Sequence, residues 1–87
     1  MSIKIADDVL YRELAGESVL LNLASGIYFG LDDVGTRMWY LLAEHGDPEK
    51  ILPILLAEYD VEEPKLRQDV ETLIRQLADK GLVKIEP

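Results

Sequence analysis

Three short apolar runs open the chain, and the turns between them leave room only for antiparallel pairing. Val9–Leu14 leads into Ala15-Gly16-Glu17, and Ser18–Leu23 leads into Ala24-Ser25-Gly26. Ile27–Leu31 then ends at Asp32-Asp33. A parallel crossover takes about a dozen residues or more. The runs therefore predict an antiparallel meander with glycine-bearing turns. Alternation puts Val19, Leu21 and Leu23 on one face, and Ile27, Phe29 and Leu31 on one face. Tyr28 then points the other way.

At Asp32 the period changes from two to that of a helix. Asp32 or Asp33 caps a first helix whose apolar positions are Val34, Met38, Leu41 and Leu42. Gly46 suits its left-handed C-terminal position. Asp47-Pro48 starts a second helix with Ile51, Ile54, Leu55 and Leu56, ending near Tyr59-Asp60. Pro53 sits inside it, where a kink or a delayed start is expected. Pro64 opens a third helix, and Leu66, Val70, Leu73, Ile74, Leu77 and Gly81 follow at helical spacing. That is the cleanest amphipathic pattern in the chain. Leu82–Pro87 reads as a short strand. The expectation is one α+β domain over residues 1–87, winged helix-turn-helix-like: a three-stranded antiparallel sheet followed by three helices.

Composition removes most chemistry. A domain of 87 residues buries only roughly 60–65% of its unfolded surface, which leaves little volume for an enclosed active site. There is no Cys, so disulfides, thiol nucleophiles and cysteine-bound metals are excluded. His45 is the only histidine, and at a helix end it offsets the dipole. Asp32-Asp33 is explained by capping, Ser18 and Ser25 have no adjacent base, and there is no phosphate-binding glycine loop. The expectation is a protein that is not an enzyme, with no cofactor and no metal. The N-terminus does not read as a signal peptide. The longest apolar stretch, Ile51–Ala57, falls far short of the about 20 residues that span a bilayer. A cytoplasmic protein without a membrane partner is expected.

Charge bears on partners. Nine basic against 17 acidic residues give −8, which opposes binding to a phosphate backbone. Five of the nine basic residues, Lys65, Arg67, Arg75, Lys80 and Lys84, fall in or just after the third helix. The exposed side of that helix mixes them with Asp69, Glu71 and Asp79. This near-neutral surface is a poor DNA-binding footprint despite the winged-helix arrangement, so no nucleic-acid partner is expected. Pairs such as Arg67 with Glu71 and Glu71 with Arg75 fit salt bridging along one helix. Trp39 reads as a packing residue. The stripe of the third helix is first a core face, but it widens through Ile74 and Ala78 with Arg67 at its border. The excess suits the wall of a groove.

The ordered set of local patterns resembles a known family. Ser25-Gly26-Ile27-Tyr28-Phe29-Gly30-Leu31-Asp32-Asp33-Val34-Gly35 is similar to the S-G-x-Y-F-x-L-(N/D)-x-x-G segment of PqqD-like proteins. Tyr59-Asp60-Val61, Leu66–Glu71 and Leu77–Val83 resemble the family as well. The likeness runs from about Val9 to Val83, with Pro53 and the Glu63 before Pro64 departing from the usual pattern. Within the family the chain looks most like the small stand-alone leader-binding half of the split B protein of lasso peptide biosynthesis. The resemblance implies a recognition element for ribosomally made precursor peptides. Such a domain binds the leader peptide as an added strand and delivers it to a leader peptidase, which is a cysteine protease, and to an ATP-dependent macrolactam cyclase. Lasso leaders of this class often carry a Tyr-x-x-Pro element, which implies apolar pockets. The resemblance places Ile27, Tyr28, Phe29, Gly30 and Leu31 on the receiving strand and Val70, Ile74 and Leu77 on the groove wall, with Leu73 beside them as a further residue to line the pockets. Arg67, Glu71 and Arg75 complete the expected peptide-binding set, the two arginines as partners for acidic leader side chains. Two alternatives stay open: a PqqD-type peptide chaperone for cofactor biosynthesis, which uses the same groove, and an acidic winged-helix transcription regulator.

Overall fold

The first element is one that the sequence patterns did not reveal. In the computed structural model, which describes residues 1–87, Ser2–Ile5 forms strand β1. It pairs antiparallel with β5, Val83–Glu86, so the two ends of the chain make a two-stranded sheet. Only Ile3 of β1 is buried, with Ile5 partly covered, and four residues with two apolar side chains carry little signal of their own. β1 exists because the helices place β5 beside it.

The meander forms as expected. β2 is Val9–Leu14, β3 is Glu17–Asn22 and β4 is Ile27–Leu31, in the order β2-β3-β4. Ala15 and Gly16, at φ 56° and 85°, make the tight turn that opposes Leu14 to Glu17. Left-handed backbone at two successive positions matches the twist of the flanking strands. Val19 and Leu21 share a face, and it is the outer one. The side chains turned to the helices are those of Ser18 and Leu20, both buried. Leu23 lies one residue past the strand. One face of this sheet is packed and the other faces water.

Three helices follow: α1, Asp33–His45; α2, Pro48–Glu58; and α3, Glu63–Asp79. Asp32 caps α1 by accepting from the Gly35 backbone N–H at 2.7 Å. Gly46 ends it in the left-handed region, donating to the Leu42 carbonyl. α2 runs unbroken through Pro53. The donor that Pro53 lacks would have met the carbonyl of Glu49, and both residues are exposed in the helix's first half. Water can satisfy that carbonyl, so the helix need not start later. Its buried positions are Pro48, Ile51, Leu52 and Leu55, with Ile54 and Leu56 only partly covered.

The core lies where the three helices meet the inner sheet face. Trp39, Leu41 and Leu42 of α1 and Ile51 and Leu55 of α2 are buried there. Leu66, Val70, Ile74 and Leu77 of α3 join them, with Leu20 and Leu31 from the sheet. A buried hydrogen bond between the Ser18 and Thr36 hydroxyls, 2.7 Å long, ties β3 to the first turn of α1. At the other end of the sheet, Asn22 donates to the carbonyls of Lys80 and Gly81 at 3.1 and 3.3 Å. A Cβ on Gly81 would stand 2.8 Å from the Asn22 Nδ2, and its φ is 69°. Glycine is therefore required there on both counts. These ties fix β3 relative to the start of α1 and to the end of α3. No helix is long and apolar enough to cross a membrane.

Candidate functional site: the free edge of β4

β4 pairs only with β3, so its second edge is unpaired. Ile27-Tyr28-Phe29-Gly30-Leu31 carries no charge and no proline. An uncharged edge presents backbone N–H and C=O groups ready to pair with another strand. Beside it lies a groove of about 310 Å³. Its apolar surface comes from Phe29 and Leu31 of β4, Val34 and Met38 of α1, and Leu73 of α3. Gly30, Gly35, Asp32, Asp69 and Gln76 complete the lining.

Helix phase decides which α3 residues reach the groove. Asp69, Leu73 and Gln76 do, at spacings of four and three. Lys80, four further on, lies with its Nζ 5.6 Å from the centre of the Phe29 ring. Positions 69, 73, 76 and 80 thus form one stripe facing β4. The groove carries the carboxylates of Asp32 and Asp69, and Lys80 stands beside it against Phe29. Asp69 is partly neutralised by Lys65 at 2.7 Å.

The structure brings some of the expected residues together and separates others. Phe29, Gly30 and Leu31 meet in the groove. Ile27 opens the strand, and Tyr28, 67% exposed, stands on the outer face. Val70, Ile74 and Leu77 are core residues, at most 3% exposed, and not a wall. Arg67 turns toward Glu49 of α2 and toward Glu63, one turn earlier on α3, which accept from it at 2.6 and 2.7 Å. Hydrogen bonds first to Glu49 and then to Glu63 raise its pKa further, so the guanidinium stays charged and already engaged. Glu71 and Arg75 line a separate cleft of about 210 Å³ with Met1, Ile74 and Ile85. β1 and β5 thus occupy the flank of α3 toward which the apolar stripe widens. The pairing of β1 with the expected C-terminal strand is the physical reason for the difference: it covers Ile74, and the open flank is one helical step away. Leu73, part of the apolar stripe, does line the groove, whereas the polar residues Asp69, Gln76 and Lys80 gave no hydrophobic signal that would have singled them out.

No group of three or more His, Asp or Glu side chains is placed to hold a metal ion. The groove's polar side chains are two carboxylates and an amide, with no nucleophile beside a base. What this arrangement can do is hold an extended peptide. The backbone pairs with β4, and alternate side chains enter the groove.

The family model described as "Coenzyme PQQ synthesis protein D (PqqD)" matches residues 17–83. The chain belongs to this family. Among solved structures, "TbiB1 in Complex with the TbiA(beta) Leader Peptide" is 43% identical, with a TM-score of 0.90. The match covers 97% of this chain and 98% of that one. "Lasso peptide synthetase B1 complexed with the leader peptide" has a TM-score of 0.87 at 22% identity, over 98% and 100% of the two chains, a likeness of fold. No curated protein matches the chain.

Proposed function

We propose that this chain binds the leader segment of a lasso peptide precursor as a strand added to β4, and presents it to the leader peptidase and the macrolactam cyclase. The observation that carries the reading is the free, uncharged β4 edge with an apolar groove beside it. It is supported by the 43% identical relative, which is described in complex with a leader peptide. The domain acts as a binding module with no chemistry of its own. The −8 charge and the anion-poor surface needs of DNA recognition argue against the transcription regulator.

Fluorescence anisotropy with a labelled TbiA(beta) leader peptide tests the proposal. Saturable binding is expected, displaced by the unlabelled peptide. A labelled DNA duplex should show no comparable binding as salt is lowered. Tight, salt-sensitive duplex binding without peptide binding would overturn the reading.

A further inference from the structure

Asn22 ends β3, and its side chain uses its full hydrogen-bonding capacity. The Oδ1 oxygen accepts from the backbone N–H groups of Ala24 and Ser25 at 3.0 and 3.2 Å. The Nδ2 group donates to the carbonyls of Lys80 and Gly81. One side chain thus joins two segments 58 residues apart in the chain. The first is the turn that launches β4. There the Asn22 carbonyl accepts from the Gly26 N–H at 2.7 Å, and Asn22 pairs with Ile27, the first residue of β4. The second is the turn that ends α3. No other hydrogen bond and no ion pair joins the three-stranded sheet to α3 or to the Lys80-Gly81 turn.

The first segment leads into one wall of the peptide groove and the second ends the other, so this inference rests on the β4-edge reading. We propose that Asn22 is a positioning residue for leader binding: it sets the gap between β4 and α3, and with it the size of leader side chain that the groove admits. A strand added to β4 takes up about 4.8 Å beside it. Its inward side chains must fit between Phe29 and Leu31 on one wall and Leu73 and Gln76 on the other. Gln76 stands about one helical turn before Lys80, whose carbonyl Asn22 holds. The Lys80 side chain in turn lies against the Phe29 ring on the opposite wall. A shift of the α3 end therefore changes the gap at Gln76 and the Lys80–Phe29 contact together. The residue type follows from what it must bind. One segment presents backbone N–H groups and the other backbone carbonyls. A carboxamide accepts and donates at once, whereas a carboxylate only accepts. Glutamine carries the same group one methylene further out, which would hold the helix end in a different place. Gly81 lets the amide come this close, since a Cβ there would stand 2.8 Å from the Asn22 Nδ2.

Asn22→Asp tests the proposal. It keeps an acceptor for Ala24 and Ser25 and turns a second oxygen toward the carbonyls of Lys80 and Gly81, so only the hold on α3 is lost. The control is Ile51→Val, a change in the buried face of α2 that also lowers the thermal midpoint. The TbiA(beta) leader is titrated against the wild type and both variants at a temperature where each is folded. Affinity should fall by about tenfold or more in Asn22→Asp and by less than about twofold in Ile51→Val. The Phe29 ring gives a second readout, because its ring current shifts the NMR signals of the Lys80 side chain above it. Those signals should move toward their ordinary positions in Asn22→Asp and stay in place in Ile51→Val. Should Asn22→Asp fail to fold, Gly81→Ala pushes on the same contact from the α3 side and carries the test with the same expected losses. A folded variant that binds the leader as tightly as wild type would overturn the proposal. So would a loss of affinity with the Lys80 signals unmoved, or an equal loss in Ile51→Val. Absence of any saturable binding to the wild type would instead remove the β4-edge reading itself.

Discussion

β2 and β4 are the two edge strands of one sheet, yet only one is built to receive a partner. Each has an unpaired side. β2 is longer and carries Arg12 and Glu13, charges of the kind that guard an edge against pairing. β4 carries none. Their inner faces differ as well. Tyr11 of β2 packs its ring edge-on against Trp39 and Tyr40 of α1, at 5.4 and 5.8 Å between centres. The space between β2 and the helices is filled by the chain's own aromatics. Phe29 and Leu31 of β4 instead face a gap, because α3 stands off on that side. The contrast teaches that strand propensity does not make a receiving edge. What makes it is missing charge, an unfilled space beside it, and a rigid element on the far wall.

The largest expected effect compares the inner face of β4 with the outer face of β2. Leu31 is 6% exposed and both floors the groove and seals the core. Leu31→Ala should lower unfolding stability by about 2–4 kcal/mol through lost burial and a residual cavity. Leu10 on β2 is 57% exposed, and Leu10→Ala should stay within about 0.5 kcal/mol of wild type. Urea unfolding of the two variants reads the difference. Similar losses at both positions would mean that the outer face of β2 is packed as firmly as the inner face of β4.

A second measurement separates the edges by use. Amide hydrogen exchange is followed with and without saturating TbiA(beta) leader peptide. An added strand pairs with alternate N–H groups of its neighbour. Alternate β4 amides should slow by about tenfold or more, and those of β2 should change by less than about twofold. Protection at β2 and not at β4 would move the site to the other edge.

Much of this contrast was legible in the sequence. The meander, the helix caps at Asp32 and Asp47, the left-handed Gly46 and the uncharged Ile27–Leu31 strand all follow from local rules, because turns and caps are decided by nearby residues. The wall of the groove was not legible. Val70, Ile74 and Leu77 drew attention because apolar spacing marks what is buried, and a core face and a binding face share that mark. Which flank of α3 stays open depends on β1, and β1 depends on pairing Ser2 with Glu86 across the whole chain. No local pattern reports such a contact.

The smallest expected effect lies away from both edges and checks that the contrast is local. Arg37 of α1 donates to Glu58 at the end of α2 through two hydrogen bonds, 2.9 and 2.6 Å long. Both side chains are more than a third exposed, so solvent screening keeps the pair weak. The hydrogen bond from Arg37 holds the Glu58 carboxyl below its ordinary pKa. A carboxylate with a lowered folded pKa adds stability above its unfolded value, and that contribution disappears as pH falls through the folded value. The thermal midpoint of Arg37→Met should therefore lie slightly below wild type at neutral pH. The gap should close as pH is lowered through the carboxylate range, toward about pH 3. Exchange at β4 and β2, and the leader's effect on each, should be unchanged in this variant. A change in leader protection at β4 on losing Arg37 would mean that the helix pair tunes the edge from a distance, and that the two edges differ by more than their immediate surroundings.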